Sequence, residues 1–76
     1  MTLDKHSIDG VPQITSKTLP AVDFDQMLIA TGYTKIGVAP AKGNRVKAWW
    51  THPTYRRVEV IYSPDQTDAI TAYHTY

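Results

Sequence analysis

The apolar positions of this chain change period twice. In residues 1–20, MTLDKHSIDGVPQITSKTLP, single apolar residues (Leu3, Ile8, Val11, Ile14, Leu19) are scattered without a repeat of 3.6. Only residues 13–17 alternate in the manner of an edge strand, with Ile14 as the inward residue. The stretch reads as an N-terminal arm that lies across a sheet or a partner. From Asp23 onward, Phe24, Met27, Leu28 and Thr31 recur at i, i+3, i+4 and i+7, which is the apolar stripe of a short helix. Asp23 is an N-cap residue type, Gln26 completes a capping box, and Val22 and Met27 have the spacing of a hydrophobic staple. Pro20 suits a chain entering a helix. Gly32 stands where a left-handed C-terminal cap belongs, with Tyr33 placed to pack back on Leu28. A helix of about two turns needs such packing to persist.

After Tyr33 the period falls to two. In residues 34–39 Ile36 and Val38 share one parity and Lys35 takes the other, as in a half-buried strand. Pro40, Gly43 and Asn44 mark a loop, and Arg45 begins the next strand, expected to pair with the first as a hairpin. In residues 45–52 the even set is Val46, Ala48, Trp50 and His52, and the odd set is Arg45, Lys47, Trp49 and Thr51. In residues 57–62 Val58, Val60 and Tyr62 oppose Arg57, Glu59 and Ile61. The apolar parity of each strand is the candidate core, and the helix is its natural cover. The segment His52-Pro53-Thr54-Tyr55 is a turn, because proline disfavours helix before it and donates nothing to a ladder. Residues 63–68 form a second polar turn before a terminal strand at 69–76, in which Ile70 and Ala72 oppose Thr71 and Tyr73. The pattern predicts an α+β domain: one short helix packed on a three- to four-stranded antiparallel sheet, with residues 1–20 as an extended arm and residues 21–76 as a single domain.

Composition narrows the chemistry. A chain of 76 residues holds one domain and buries only about 60% of its unfolded surface, so the core is thin. The absence of cysteine excludes disulfide frameworks, thiolate zinc sites and cysteine nucleophiles. His6, His52 and His74 have no metal-ligand spacing, and no cofactor is implied. No apolar run has signal-peptide length or approaches the roughly 18 residues of a membrane span, so a cytoplasmic protein without membrane association is expected. The formal net charge of +1 is unevenly spread: residues 1–30 carry −2, residues 31–62 carry +5 and residues 63–76 carry −2. A basic segment between acidic ones is the footprint of an anion-facing surface, or of the solvated sides of two strands.

The outward parities place Arg45, Lys47, Trp49, Arg57 and Tyr73 on one face, with Thr51 and Thr71 among them. Cations contact phosphate and rings stack on unpaired bases, which suits single-stranded RNA; Arg56 adds a further cation beside that face. A lysine or arginine resting on Trp49 for packing explains part of the same pattern. Because adjacent strand residues point oppositely, Trp50 is the core member of the Trp49-Trp50 pair and Trp49 lies outside, where a tryptophan marks an interface or is covered by the arm. A non-catalytic module holding a protein partner through Trp49 and the arm is therefore a second reading, and a nucleic-acid-binding accessory protein without catalysis a third. Metal-independent nucleolysis needs proton-transfer groups, for which His74, His52, Tyr73 and Tyr76 are candidates. It also needs charge stabilisation, for which Arg45, Lys47, Arg56 and Arg57 qualify.

The C-terminal stretch RRVEVIYSPDQTDAITAYHTY resembles the last two strands of small ribonuclease toxins of the RelE and ParE type, within the wider barnase, EndoU, colicin and RelE-like grouping. Tyr73, His74 and Tyr76 resemble the terminal His and Tyr pair of some RelE-like members. The resemblance, over residues 45–76, implies metal-independent RNA cleavage with His74 or Tyr73 as acid or base and Arg57, Arg45 or Lys47 on the phosphate. From Phe24 to Val60 the chain is also similar to HicA-type toxins, which have a double-stranded-RNA-binding-like fold. In this chain the N-terminal helices of RelE-like toxins are replaced by the arm, and Gly43-Asn44-Arg45 stands where HicA proteins have Gly-Ser-His.

Overall fold

The protein is described from a computed structural model, over residues 2–75. Strand β1 (Leu19–Pro20) runs directly into helix α1 (Ala21–Thr31). Strands β2 (Thr34–Pro40), β3 (Val46–Thr51), β4 (Val58–Tyr62) and β5 (Asp68–His74) follow, with short 3-10 turns at Leu3–Lys5 and Lys42–Asn44. The strands form one antiparallel sheet in the order β1-β5-β4-β3-β2, with α1 packed on it, an α+β architecture. Among the described residues five strands rather than three or four are present. The extra one is β1, which pairs Leu19 with Ala69 and Pro20 with Asp68. It lies downstream of the edge strand expected at residues 13–17, and its closing proline makes that edge blunt.

The helix starts two residues before the expected Asp23 cap. Pro20 occupies the N-cap position with extended ψ 135, and no side chain caps the helix. The Ala21 N–H instead donates to the Thr67 carbonyl at 2.8 Å, so the β4–β5 turn supplies the acceptor. Asp23 thereby falls in the first turn, where its charge complements the positive end of the macrodipole. The C-terminus follows expectation. Gly32 sits at φ 104 in the left-handed region, and the Tyr33 N–H donates to the Leu28 carbonyl at 3.0 Å. A Cβ at Gly32 would lie 3.1 Å from His52 Nε2, which with the positive φ reserves the position for glycine.

The core is the parity set read from the strands. Ala48 faces Val60 and Trp50 faces Val58, and all four are buried with Tyr62 against Phe24 and Leu28 of the helix. In β5 the alternation slips. Val60 pairs with Ala72 and Ile61 with Thr71, but Tyr62 pairs with Ala69, so Ile70 is the extra residue of a bulge. Ala69, not Ile70, takes the core position beside Ala72. The arm is part of the same core: Leu3, Ile8 and Ile14 are buried in it, and the Leu3 N–H donates to the Lys17 carbonyl at 2.9 Å. Its Leu3–Lys5 turn packs on β5.

Strand β2 is the other edge. A register shift between Lys35 and Gly37 leaves Ile36 bulged, and Ile36 and Val38 are exposed. Beside it Lys35 Nζ lies 5.2 Å and 5.5 Å from the ring centroids of Trp50 and Tyr62, and 3.6 Å from Asp25 Oδ2. The Tyr62 hydroxyl donates to Asp25 Oδ1 at 2.6 Å. Lys35, Asp25, Trp50, Ile29, Tyr33 and Thr34 line a cleft of about 440 Å³ between α1 and β2. Among the described residues no helix is long and apolar enough to cross a membrane.

Candidate functional site

The face of the sheet away from α1 is organised as rows set by register. One row runs Gly37, Trp49, Glu59, Tyr73 across β2, β3, β4 and β5. Gly37 makes room for its neighbour: a Cβ there would lie 3.3 Å from Cε3 of Trp49. The Trp49 indole N–H donates to Glu59 Oε1 at 2.9 Å, and the Tyr73 hydroxyl donates to Glu59 Oε2. One carboxylate thus holds both rings in place. The hydrogen bond to Glu59, then burial, then the Glu59 charge push the Tyr73 phenol up to about 12. At neutral pH Tyr73 is therefore a donor, not a base. Lys47 stands in the next row, opposite Ile61, with Nζ 5.4 Å from the Trp49 ring centroid. Trp49 is half-buried in the sheet surface, and the ring that meets the arm is Tyr73, against which His6 packs edge-on at 5.8 Å.

At the Tyr73 end of this row the surface opens into a cleft of about 500 Å³ lined by His6, Ser7, Arg56, Tyr73 and His74. Three segments build it. Strand β5 supplies Tyr73 and His74, the connector between β3 and β4 supplies Arg56, and the arm supplies His6 and Ser7. Register pairs His74 with Val58, so its side chain turns to the helix side and is only 6% exposed. His74 Nε2 accepts the Asp9 N–H at 3.0 Å, and Nδ1 lies 3.1 Å from the Arg56 carbonyl, to which it donates. Asp9 is anchored a second time, its carbonyl accepting the Tyr33 hydroxyl at 2.7 Å. Burial first, then the Asp9 charge, push the Tyr33 phenol up to about 12.

Of the residues singled out from sequence, Arg56, Tyr73 and His74 meet in this cleft, while Lys47 and Trp49 stand on the open sheet face. Arg45 is exposed just before β3, its carbonyl accepting the Ala41 N–H, and Arg57 is exposed just before β4, its carbonyl accepting the Thr75 N–H. Neither lines the cleft. His52 does not line it either. Its Nδ1 accepts the N–H groups of Thr54 and Tyr55, its Nε2 donates to the Thr31 carbonyl at 3.0 Å, and its ring packs against both Tyr33 and Tyr55. That is a structural histidine shaping the 52–57 connector. Tyr76 lies outside the described residues. Sequence reasoning missed His6 and Ser7, which sit in a segment without period, and left Glu59 out of the candidate face. Only the strand parity of Glu59, shared with Trp49 across the register, carried a signal. Among the described residues no group of three or more His, Cys, Asp or Glu side chains is arranged to hold a metal ion. No family model, curated protein or solved structure matches this chain.

Proposed function

We propose that this is a small RNA-directed protein whose ligand is single-stranded RNA. The observation that carries the reading is the cleft, in which Arg56, Tyr73 and His74 are joined by His6 from the arm at the end of a row presenting Trp49 and Lys47. Arginine and histidine side chains suit a phosphodiester, and the sheet rings suit unstacked bases. The same set supports metal-independent cleavage. The ribose 2′-oxygen would attack phosphorus while His6 takes its proton. The departing 5′-oxygen would take its proton from solvent, because the Tyr73 hydroxyl is committed to Glu59, and Arg56 would face the phosphate charge. The products would be a 2′,3′-cyclic phosphate and a 5′-hydroxyl end, with His6 restored by giving its proton to solvent.

Fluorescence anisotropy of a labelled uridine-rich RNA over a salt series tests the binding. Affinity should fall steeply as salt rises, and absence of binding at low salt sinks the reading. Cleavage that persists in EDTA and disappears in His6→Ala identifies the enzyme; RNA left intact by wild type after long incubation reduces the protein to an RNA-binding module. A protein partner is favoured by one separate observation, the exposed apolar residues Val22, Ile29, Ile36 and Val38 on α1 and β2. Val38 pairs with Ala48 and so takes the α1 side of the sheet, opposite the Trp49 row, so a partner held by α1 and that side of β2 would use a different surface.

A further inference from the structure

A histidine that transfers protons to a ligand needs a ring nitrogen directed at that ligand, and His74 has none to spare. Accepting the Asp9 N–H at 3.0 Å requires a bare Nε2, so Nδ1 carries the proton that goes to the Arg56 carbonyl. Asp9 Oδ2, 3.4 Å from the same Nε2, adds no attraction while that nitrogen is bare, so the tie consists of the two hydrogen bonds. One side chain, 6% exposed, therefore ties β5 to two other segments at once. Those segments are the ones that bring His6 and Ser7, and Arg56, to the cleft. Outside residues 6–10 the arm is held by burial of Leu3 and Ile14, and within them Ile8 is buried too, so the His74 contact acts on the segment around Asp9.

The geometry points to His74 as a positioning residue. It latches the N-terminal arm to the 52–57 connector, and the phosphodiester-binding pair assembled by that latch is His6 and Arg56. The identity of the ligand rests on the RNA reading above, whereas the latch rests on the hydrogen bonds alone. The arm is then a working part of the site, and losing the latch dismantles the cleft without dismantling the sheet.

The test is amide hydrogen exchange of residues 6–10, together with affinity for a short oligouridylate at fixed low salt. The variants are His74→Ala, His74→Gln and Tyr33→Phe. Glutamine keeps an acceptor within reach of the Asp9 N–H and has no titrating group. In His74→Ala, exchange of the 6–10 amides should rise about tenfold and RNA affinity fall about tenfold, the change expected when a hydrogen-bonded tie of ordinary strength is lost. In His74→Gln both should return to within about threefold of wild type, because an acceptor for the Asp9 N–H is restored. Tyr33→Phe removes only the hydroxyl on the Asp9 carbonyl, and should shift both readouts the same way by less while the other amides keep their protection. That pattern separates unlatching from unfolding. Unchanged exchange in His74→Ala overturns the latch, and released amides with unchanged RNA affinity overturn the arm's part in the site. A His74→Gln protein as weak as His74→Ala overturns the positioning role, because restoring an acceptor for the Asp9 N–H would then not restore the site. If wild type binds no RNA, the RNA reading falls, and the exchange measurements still decide the latch.

Discussion

Replacing Tyr62 by phenylalanine isolates the polar cluster beneath α1. The ring is 3% exposed and stays in place, so only the hydroxyl and its bond to Asp25 Oδ1 at 2.6 Å are lost. Hydrogen bonds to a charged partner are worth about 1.5–3 kcal/mol. Two features pull this one toward the low end. The Asp25 side chain is 24% exposed, so water can reach it, and Lys35 Nζ remains 3.6 Å away. A loss of about 1–1.5 kcal/mol follows, which in a domain of this size lowers Tm by roughly 5–10 °C. The pH dependence gives a second, independent sign. Burial first, and then the Asp25 hydrogen bond and charge, raise the Tyr62 phenol above its ordinary value. A group whose folded pKa is raised contributes stability that is complete below the unfolded pKa, about 10, and is lost as pH rises beyond it. For Tyr62 the loss is about 1.4 kcal/mol per pH unit while the folded form stays protonated. Phenylalanine has no such limb. Urea unfolding of wild type, Tyr62→Phe, Asp25→Asn and the double variant at pH 7 and at pH 11 should show the variant less stable at pH 7 and the gap narrowing at pH 11. Tyr33 and Tyr73 are present in both proteins, so the difference between them isolates Tyr62. A Tyr62→Phe protein as stable as wild type at pH 7, or a gap that does not change with pH, would refute the reasoning.

Three further outcomes follow from the same geometry. Gly32→Ala places a Cβ 3.1 Å from His52 Nε2 at φ 104 and should cost about 1–3 kcal/mol in urea unfolding, with the m-value unchanged. Glu59→Gln removes the charge that holds Tyr73 near 12, so the Tyr73 phenolate should appear at lower pH in an ultraviolet titration; an unmoved titration would show that Glu59 is not the cause. Trp50→Ala should cost about 3–5 kcal/mol because Trp50 is fully packed, whereas Trp49→Ala should leave a folded domain whose oligouridylate affinity falls about tenfold through lost stacking.

The parts of the fold legible in sequence are those where burial is one-sided. Val46, Ala48, Trp50, Val58, Val60 and Tyr62 alternate with polar neighbours, and a one-residue slip would carry that whole set to solvent, so parity alone assigns their face. Gly32 is legible because few residues tolerate its conformation. The helix start is not, because its acceptor is the Thr67 carbonyl, far along the chain, and the Asp23-Gln26 pattern imitates a cap that the tertiary contact makes unnecessary. Strand β1 has two residues, too few for any period, and exists because β5 offers it an edge. The displacement of Ile70 by Ala69 reflects a bulge between Ile61 and Tyr62, which alternation, counted in steps of two, cannot register.

The candidate site was legible only where it follows strand parity. Trp49 and Tyr73 were placed on one face correctly, but the cations expected around them do not form a uniform basic surface. Arg45 and Arg57 fall in connectors, Lys47 lies on the Trp49 ring, and Glu59 occupies the middle of the row with both oxygens accepting. This arrangement constrains how RNA would lie. Adjacent strands are about 4.8 Å apart, so Trp49 and Tyr73, two strands apart, are separated by roughly 10 Å with a carboxylate between them. A phosphate over Glu59 would meet like charge, whereas a base edge could donate to its remaining lone pairs. On the RNA reading the bases therefore face the sheet row and the backbone runs along its rim, reaching Arg56 and His6 where the arm closes the cleft. The residue that most shapes that path is an acid, Glu59, which strand parity places on the face and cation content does not single out.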